Sequence, residues 1–114
     1  MDKWKLIELG EMIKIEKCVG EYQISMHTVL PYGKMKIKIY EDQESLFSGR
    51  TDVCVKRKFD GETECAVGFG KTEAEALEDT IKHFLNMIQE DYPKEKHPNG
   101  LAEEDIEYAD YFDF

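Results

Sequence analysis

"TDVCVKRKFDGETECAVGFGKTEAEALEDTIKHF", residues 51–84, decides how this chain is read. Its first half repeats with a period of two, with Val53 and Val55 before a turn and Cys65, Val67 and Phe69 after it. Its second half repeats with a period near 3.6. A strand pair followed by a helix has this pattern, because side chains alternate across a strand and recur every three to four positions on a helix. Two turns fit between the strands. A two-residue turn at Asp60-Gly61 sets Lys56 and Lys58 on the face of Cys65, Val67 and Phe69. A three-residue loop, Phe59-Asp60-Gly61 with Gly61 left-handed, pairs Lys58 with Glu62 instead. Val53 then faces Val67, Val55 faces Cys65 and Lys56 faces Glu64. One face becomes apolar and the other salt-bridged, so this register is the one expected. It turns Cys65 to the core and Cys54 away, and it predicts no hairpin disulfide.

The helix is expected over about 73–91. Thr72 and Glu75 form a capping box, Ala74, Leu77, Ile81, Phe84, Leu85 and Ile88 form the apolar stripe, and Tyr92 before Pro93 marks the stop. Upstream, Ile13, Ile15 and Val19, then Tyr22, Ile24 and Met26, then Met35, Ile37 and Ile39 alternate with polar residues. Lys34, Lys36 and Lys38 occupy the opposite face of the third run. A Gly20-Glu21 hairpin and the "LPYG" turn join these runs, with Ile24 opposite Ile39 and Met26 opposite Ile37. The chain therefore reads as α+β: an antiparallel meander of about five strands, the long helix packed on one face, and a short acidic C-terminal helix. Residues 1–98 form the sandwich domain and 99–114 an acidic aromatic segment.

That last segment, "LAEEDIEYADYFDF", holds six carboxylates, no basic group and four aromatic rings. As a helix it places Ala102, Ile106, Ala109 and Phe112 on one line and Glu103, Glu104, Glu107 and Asp110 on another. The charge of the chain concentrates here. The net charge is −10, and residues 72–114 carry thirteen acidic against three basic groups. Such a surface repels nucleic acid and anionic membranes and attracts basic protein surfaces. With no long apolar run near the start, we expect a soluble cytoplasmic protein. Three cysteines without paired spacing predict reduced thiols and no zinc site.

"GFGKT" follows a strand and opens a helix, but the glycine that a phosphate loop needs five residues before Gly70 is Cys65. Gly68 and Gly70 are read as easing the strand exit and Thr72 as a cap. His27, His83 and His97 share no spacing, and Ser25, Ser45 and Ser48 sit in ordinary strand or loop contexts. No catalytic residue, cofactor or metal is expected, and the chain is read as a non-enzyme.

Residues 50–88 resemble two families. The hairpin and helix are similar to the corresponding half of double-stranded-RNA-binding domains, where basic residues open the final helix; here that turn carries Glu73, Glu75 and Glu78. "GKTEAEALEDT" resembles the strand-to-helix junction of HicB-type antitoxins, which implies an antitoxin or regulatory partner. In charge and size the chain is similar to small phage proteins of the anti-restriction and anti-CRISPR classes. That likeness implies an inhibitor that mimics nucleic acid and blocks a basic groove of a defence enzyme.

The partner-binding residues expected are Glu103, Glu104, Glu107, Asp110, Tyr108, Tyr111 and Phe114 on the tail and Glu75, Glu78 and Asp79 on the helix. The partner is a basic protein surface, with no direct nucleic-acid or membrane binding; a homo-oligomer through the sheet edge is a further reading. Because "GFGKT" is read as structural, Lys71→Ala should change stability by no more than about 0.5 kcal/mol, the range of ordinary surface changes. ATP with magnesium should leave the melting temperature unmoved; a clear rise would reinstate the phosphate loop.

Overall fold

The structure, a computed structural model, describes residues 2–110 and 114. A 3-10 turn at Lys3–Leu6 precedes β1 (Glu16–Ser25), β2 (Lys34–Asp42), β3 (Phe47–Lys56), β4 (Thr63–Gly70) and α1 (Glu73–Asp91). A second 3-10 turn, Glu103–Asp105, leads into β5 (Ile106–Tyr108). The fold is α+β. Strands β1 to β4 form an antiparallel meander, and β5 joins β3 on the side that β2 also occupies. α1 lies over β3 and β4 and reaches β2.

Period two in β2 is carried through: Met35, Ile37 and Ile39 are buried beneath the helix, while Lys34 and Lys36 are exposed on the far face. Ile24 pairs with Met35 and Tyr22 with Ile37, four residues away from the expected register. Four is even, so the apolar face is preserved. The displacement arises because the connection is longer than a bare turn. The Leu30 amide donates to the Met26 carbonyl, forming a helical turn, before the Gly33 amide donates to the Leu30 carbonyl across the "LPYG" turn.

The hairpin expected at Gly20-Glu21 does not form. β1 runs straight through these residues, with a register shift between Cys18 and Gly20. Gly20 serves close approach instead of chain reversal: a Cβ there would lie 2.7 Å from Glu73 Oε2, and that carboxylate accepts the Tyr22 hydroxyl.

The β3–β4 hairpin is also corrected. Arg57 and Glu62 close it, with the Arg57 amide donating to the Glu62 carbonyl at 2.8 Å, so the loop has one residue more than expected. Gly61 is left-handed as read, with φ 75°. The slip sets Cys54 opposite Cys65 and Val55 opposite Glu64. Cys65, Val67 and Phe69 therefore face away from the helix, and Cys54 and Cys65 are joined in a disulfide, leaving Cys18 as the free cysteine.

Contact with α1 decides this register. β4 turns Ala66 and Gly68 toward the helix, both buried. A Cβ at Gly68 would collide with the backbone of Thr80, and one at Gly70 would lie 2.6 Å from the Ala76 amide nitrogen. Gly49 of β3 opens the same space from the neighbouring strand, beside the Thr80 side chain. Large side chains at 65, 67 and 69 have no room beneath a helix this close.

Thr72 caps the helix as expected, its Oγ1 accepting the Glu75 amide at 3.1 Å, but the Glu75 carboxylate takes the Thr72 hydroxyl in place of the Thr72 amide, so half of the expected capping box forms. The buried line, however, is Ala76, Thr80, Phe84 and Met87, with Leu77, Ile81 and Ile88 half-buried alongside it. Ala74 and Leu85 are exposed. Thr80 occupies the core because its hydroxyl donates to the Ala76 carbonyl at 2.7 Å, which satisfies it within the helix.

The final segment is not the helix expected over 101–114. The Asp105 carboxylate turns back onto the Ala102 amide, and the next residues become β5, with Val53 opposite Tyr108 and Val55 opposite Ile106. β2 stops pairing with β3 at Thr51, which leaves the β3 edge open from Val53 onward. An open, buried backbone edge outweighs a short helix burdened with adjacent carboxylates.

Gly68→Ala should cost about 1–3 kcal/mol, the usual range for overpacking a close contact. Val67→Ala, one position away on the exposed face, should stay within about 0.5 kcal/mol. Urea denaturation of both variants tests the helix-on-sheet contact, and equal stability would contradict it.

Candidate protein-interaction site

The structure divides the expected site residues into two groups. Glu75, Glu78 and Asp79 lie in the first two turns of α1. Glu103, Glu104, Glu107, Tyr108 and Asp110 follow only after the chain has left the far end of a helix about 28 Å long at 1.5 Å per residue.

In the first group, local roles take two of the three side chains. Glu75 accepts the Thr72 hydroxyl at 3.2 Å at the start of the helix. Asp79 accepts the Phe69 amide at 2.9 Å, and His83 Nδ1 lies 3.2 Å from the Val67 nitrogen and 2.7 Å from its carbonyl oxygen. Asp79 and His83 thus terminate the outer edge of β4, where unpaired backbone groups would otherwise stand open. Glu78 is exposed and pairs with Lys82 at 3.4 Å.

In the second group, Glu103 and Tyr108 are both brought to Tyr32. Glu103 Oε1 accepts the Tyr32 hydroxyl at 2.5 Å, and the Tyr32 and Tyr108 rings lie 6.0 Å apart at a tilted angle. The Tyr108 hydroxyl reaches the Lys34 carbonyl at 3.3 Å. Both rings present large exposed areas, 59% for Tyr32 and 39% for Tyr108. They line a shallow recess of about 480 Å³ with Gln23, Lys34, Met35, Lys36 and Asp52. Glu104, Glu107 and Asp110 are exposed on the same chain segment, and Glu107, paired with Cys54 in the β5 ladder, points to the opposite face of the sheet from Tyr108. Phe114 lies apart from the recess: its carbonyl accepts the Tyr40 hydroxyl at 2.9 Å and its ring packs 4.5 Å from Lys38 Nζ. Tyr111 and Phe112 fall outside the described residues.

Electrostatics in the recess follow from these contacts. The hydrogen bond to Glu103 holds the Tyr32 phenol above its ordinary range, with desolvation adding to it. Burial raises Tyr108, and the nearby Asp52 carboxylate raises it further. Asp52 is raised by burial, against the opposing hydrogen bond from the Lys36 amide to its Oδ1 at 2.8 Å. That residue sits at the fork where β2 and β5 part: its side chain holds β2, and its carbonyl accepts the Ala109 amide at 2.7 Å.

Tyr32 and Asp52 were not legible as site residues. Tyr32 has a turn signature, and its partner lies 71 positions further on. Arg57 was missed as well. Its guanidinium meets Asp91 at 2.6 Å, Glu90 at 2.8 Å and Glu64 at 3.1 Å, and it ties the β3–β4 hairpin to the end of α1. Hydrogen bonding to Arg57 holds the Asp91 carboxyl below the usual carboxylate range.

Among the described residues, no group of three or more His, Cys, Asp or Glu side chains is placed to hold a metal ion. No helix among them is long and apolar enough to cross a membrane. No protein-family model, curated protein or solved structure matches the chain.

The lowered Asp91 value has a definite pH consequence. Its contribution is complete above the ordinary carboxylate range, near pH 4, and is lost as pH falls through the lowered folded value. Asp91→Asn should therefore be less stable than the parent at neutral pH, and the gap should close as pH falls below about 4. Denaturant titrations of both proteins across pH would check this; a gap that persists at acid pH would dissociate Asp91 from the effect.

Proposed function

We propose that this protein binds a basic protein surface through the Tyr32–Tyr108 recess and the exposed carboxylates of the same C-terminal segment. The observation that carries this reading is the exposed tyrosine pair with Glu103 hydrogen-bonded at its rim. Tyrosine supplies large, rigid contact area with a polar tip, and it is enriched among the residues that dominate interface energies. An arginine on the partner can lie over such a ring and pair with an adjacent carboxylate in one step. Glu104, Glu107 and Asp110 add attraction at longer range, and it acts mainly on the rate of encounter.

Basic surfaces that accept both stacking and anionic spacing belong to proteins that handle nucleic acid. An acidic, aromatic protein that occupies one blocks it. The reading is thus an inhibitor of the nucleic-acid-mimic kind, directed at a defence enzyme, as the likeness to phage anti-restriction and anti-CRISPR proteins implies. A HicB-like antitoxin that takes a basic toxin is the second reading, and the strand-to-helix junction at Gly70–Glu75 favours it. Capture of a toxin encoded beside the gene would select it over the inhibitor.

Affinity capture at low salt should retain a basic nucleic-acid-handling protein and release it at high salt. Tyr32→Ala with Tyr108→Ala should raise dissociation by at least tenfold, because it removes the central contacts. Glu104→Gln, Glu107→Gln and Asp110→Asn together should mainly slow association, and added salt should mimic that loss, since screening acts within about 8 Å at physiological ionic strength. Capture that survives both sets of changes at low salt would remove this recess from the mechanism and leave the exposed acids at the start of α1.

A further inference from the structure

The two edges of the sheet are treated differently. At β4, Asp79 and His83 of α1 reach the strand backbone and terminate it. At β1 no such cap is found among the described residues, and β2 is the one strand paired with it. A ten-residue edge strand is long, and natural proteins blunt such edges with charge, proline or bulges. β1 has one bulge, near Val19, and from there it is regular to Ser25. In a chain that is 35% charged, Cys18–Met26 contains a single charged residue, Glu21.

The apolar side of β1 is unfinished as well. α1 lies over β2, β3 and β4, and it meets β1 through the hydrogen bond between Glu73 and Tyr22. Tyr22, Ile24 and Met26 are therefore half-buried, where Met35, Ile37 and Ile39 of the next strand are fully covered. An open backbone edge runs beside a half-covered apolar row.

We propose that β1 pairs antiparallel with β1 of a second copy of this chain, across a two-fold axis centred on Gln23. Residues that meet across such a pair lie on the same face, so each two-fold register sets one residue against its own copy. Centring on Glu21 opposes two carboxylates. Centring on Gln23 sets Tyr22 against the second copy's Ile24, twice over, and Glu21 against Ser25. Aromatic and β-branched residues form favourable cross-strand pairs, and here they join the two half-covered rows into one. Both helices then sit on the same face of a continuous sheet.

Gln23 also lines the recess at Tyr32 and Tyr108, and salt separates the dimer from capture of a basic partner there. Each copy carries a net charge of −10, so screening relieves repulsion between copies and strengthens the dimer. The same salt weakens capture of a basic partner.

Sedimentation velocity of the full chain over a range of concentration and salt is the test. A dimer should grow with both. Gln23→Lys, on an exposed side chain, should leave the circular dichroism unchanged and abolish the dimer by placing two ammonium groups face to face. In a Cys18→Ser background, Gln23→Cys should cross-link to a dimer on mild oxidation with diamide. Lys36→Cys, exposed on the neighbouring strand, should not. A monomer at every concentration and salt overturns the proposal. So does a dimer that Gln23→Lys leaves intact, or cross-linking at Gln23 no greater than at Lys36.

Discussion

The backbone of α1 rests almost directly on β4, and most of the fold follows from that closeness. Gly68 leaves the space that the Thr80 backbone fills, and Gly49 makes room on β3 for the Thr80 side chain. A helix at that distance tolerates only small residues beneath it, so β4 must present Ala66 and Gly68 inward and Cys65, Val67 and Phe69 outward. This orientation brings Cys54 and Cys65 together on the open face. It also sets Arg57 at the end of the hairpin, where Asp91 and Glu90 of the helix can reach it. Packing at these glycines thus fixes a register, a disulfide and an ion-pair network.

Local chemistry was legible in the sequence where a single residue type admits one structural use. The Thr72 cap, left-handed Gly61, Pro31 in its turn and the alternation of Met35, Ile37 and Ile39 all stand where they were read. Glycine misled where its use was tertiary. Gly20 looked like a turn and is a clearance for Glu73; Gly68 looked like a strand exit and is a seat for α1. The expected β3–β4 register rests on an apolar face set against a salt-bridged one, which rewards placing Val67 and Phe69 inward. Volume under the helix overrules it, and volume is not written in the local sequence.

The tail shows the same limit from another side. Ile106, Ala109 and the acidic residues fit a helical period, and three residues of strand are too few to show a period of their own. What selects the strand is an unpaired stretch of β3, more than fifty positions away. The candidate site was legible in composition, since Glu103 and Tyr108 both reach Tyr32, and illegible in arrangement, because Tyr32 comes from the β1–β2 connection. Acidic residues that looked interchangeable are distinct in use: Asp79 terminates a strand edge, Asp91 anchors a guanidinium, Asp105 holds a turn, and Glu104 and Asp110 extend into solvent.

Two strands share one side of β3, and Asp52 stands at the junction between them. This arrangement imposes an order of assembly. β2 and β3 are neighbours in the chain and can pair as soon as both exist. Val53–Val55 must wait for Ile106–Tyr108, which arrive only after α1 and its connector have been made. Closing a loop of that span is slower than closing a hairpin. A chain in which β2 and β3 have already paired therefore keeps a short open slot beside Val53–Val55, and the slot is sealed only when Ile106–Tyr108 return to it. The segment that carries Glu103 and Tyr108 takes its place beside Tyr32 in the same event that completes the sheet.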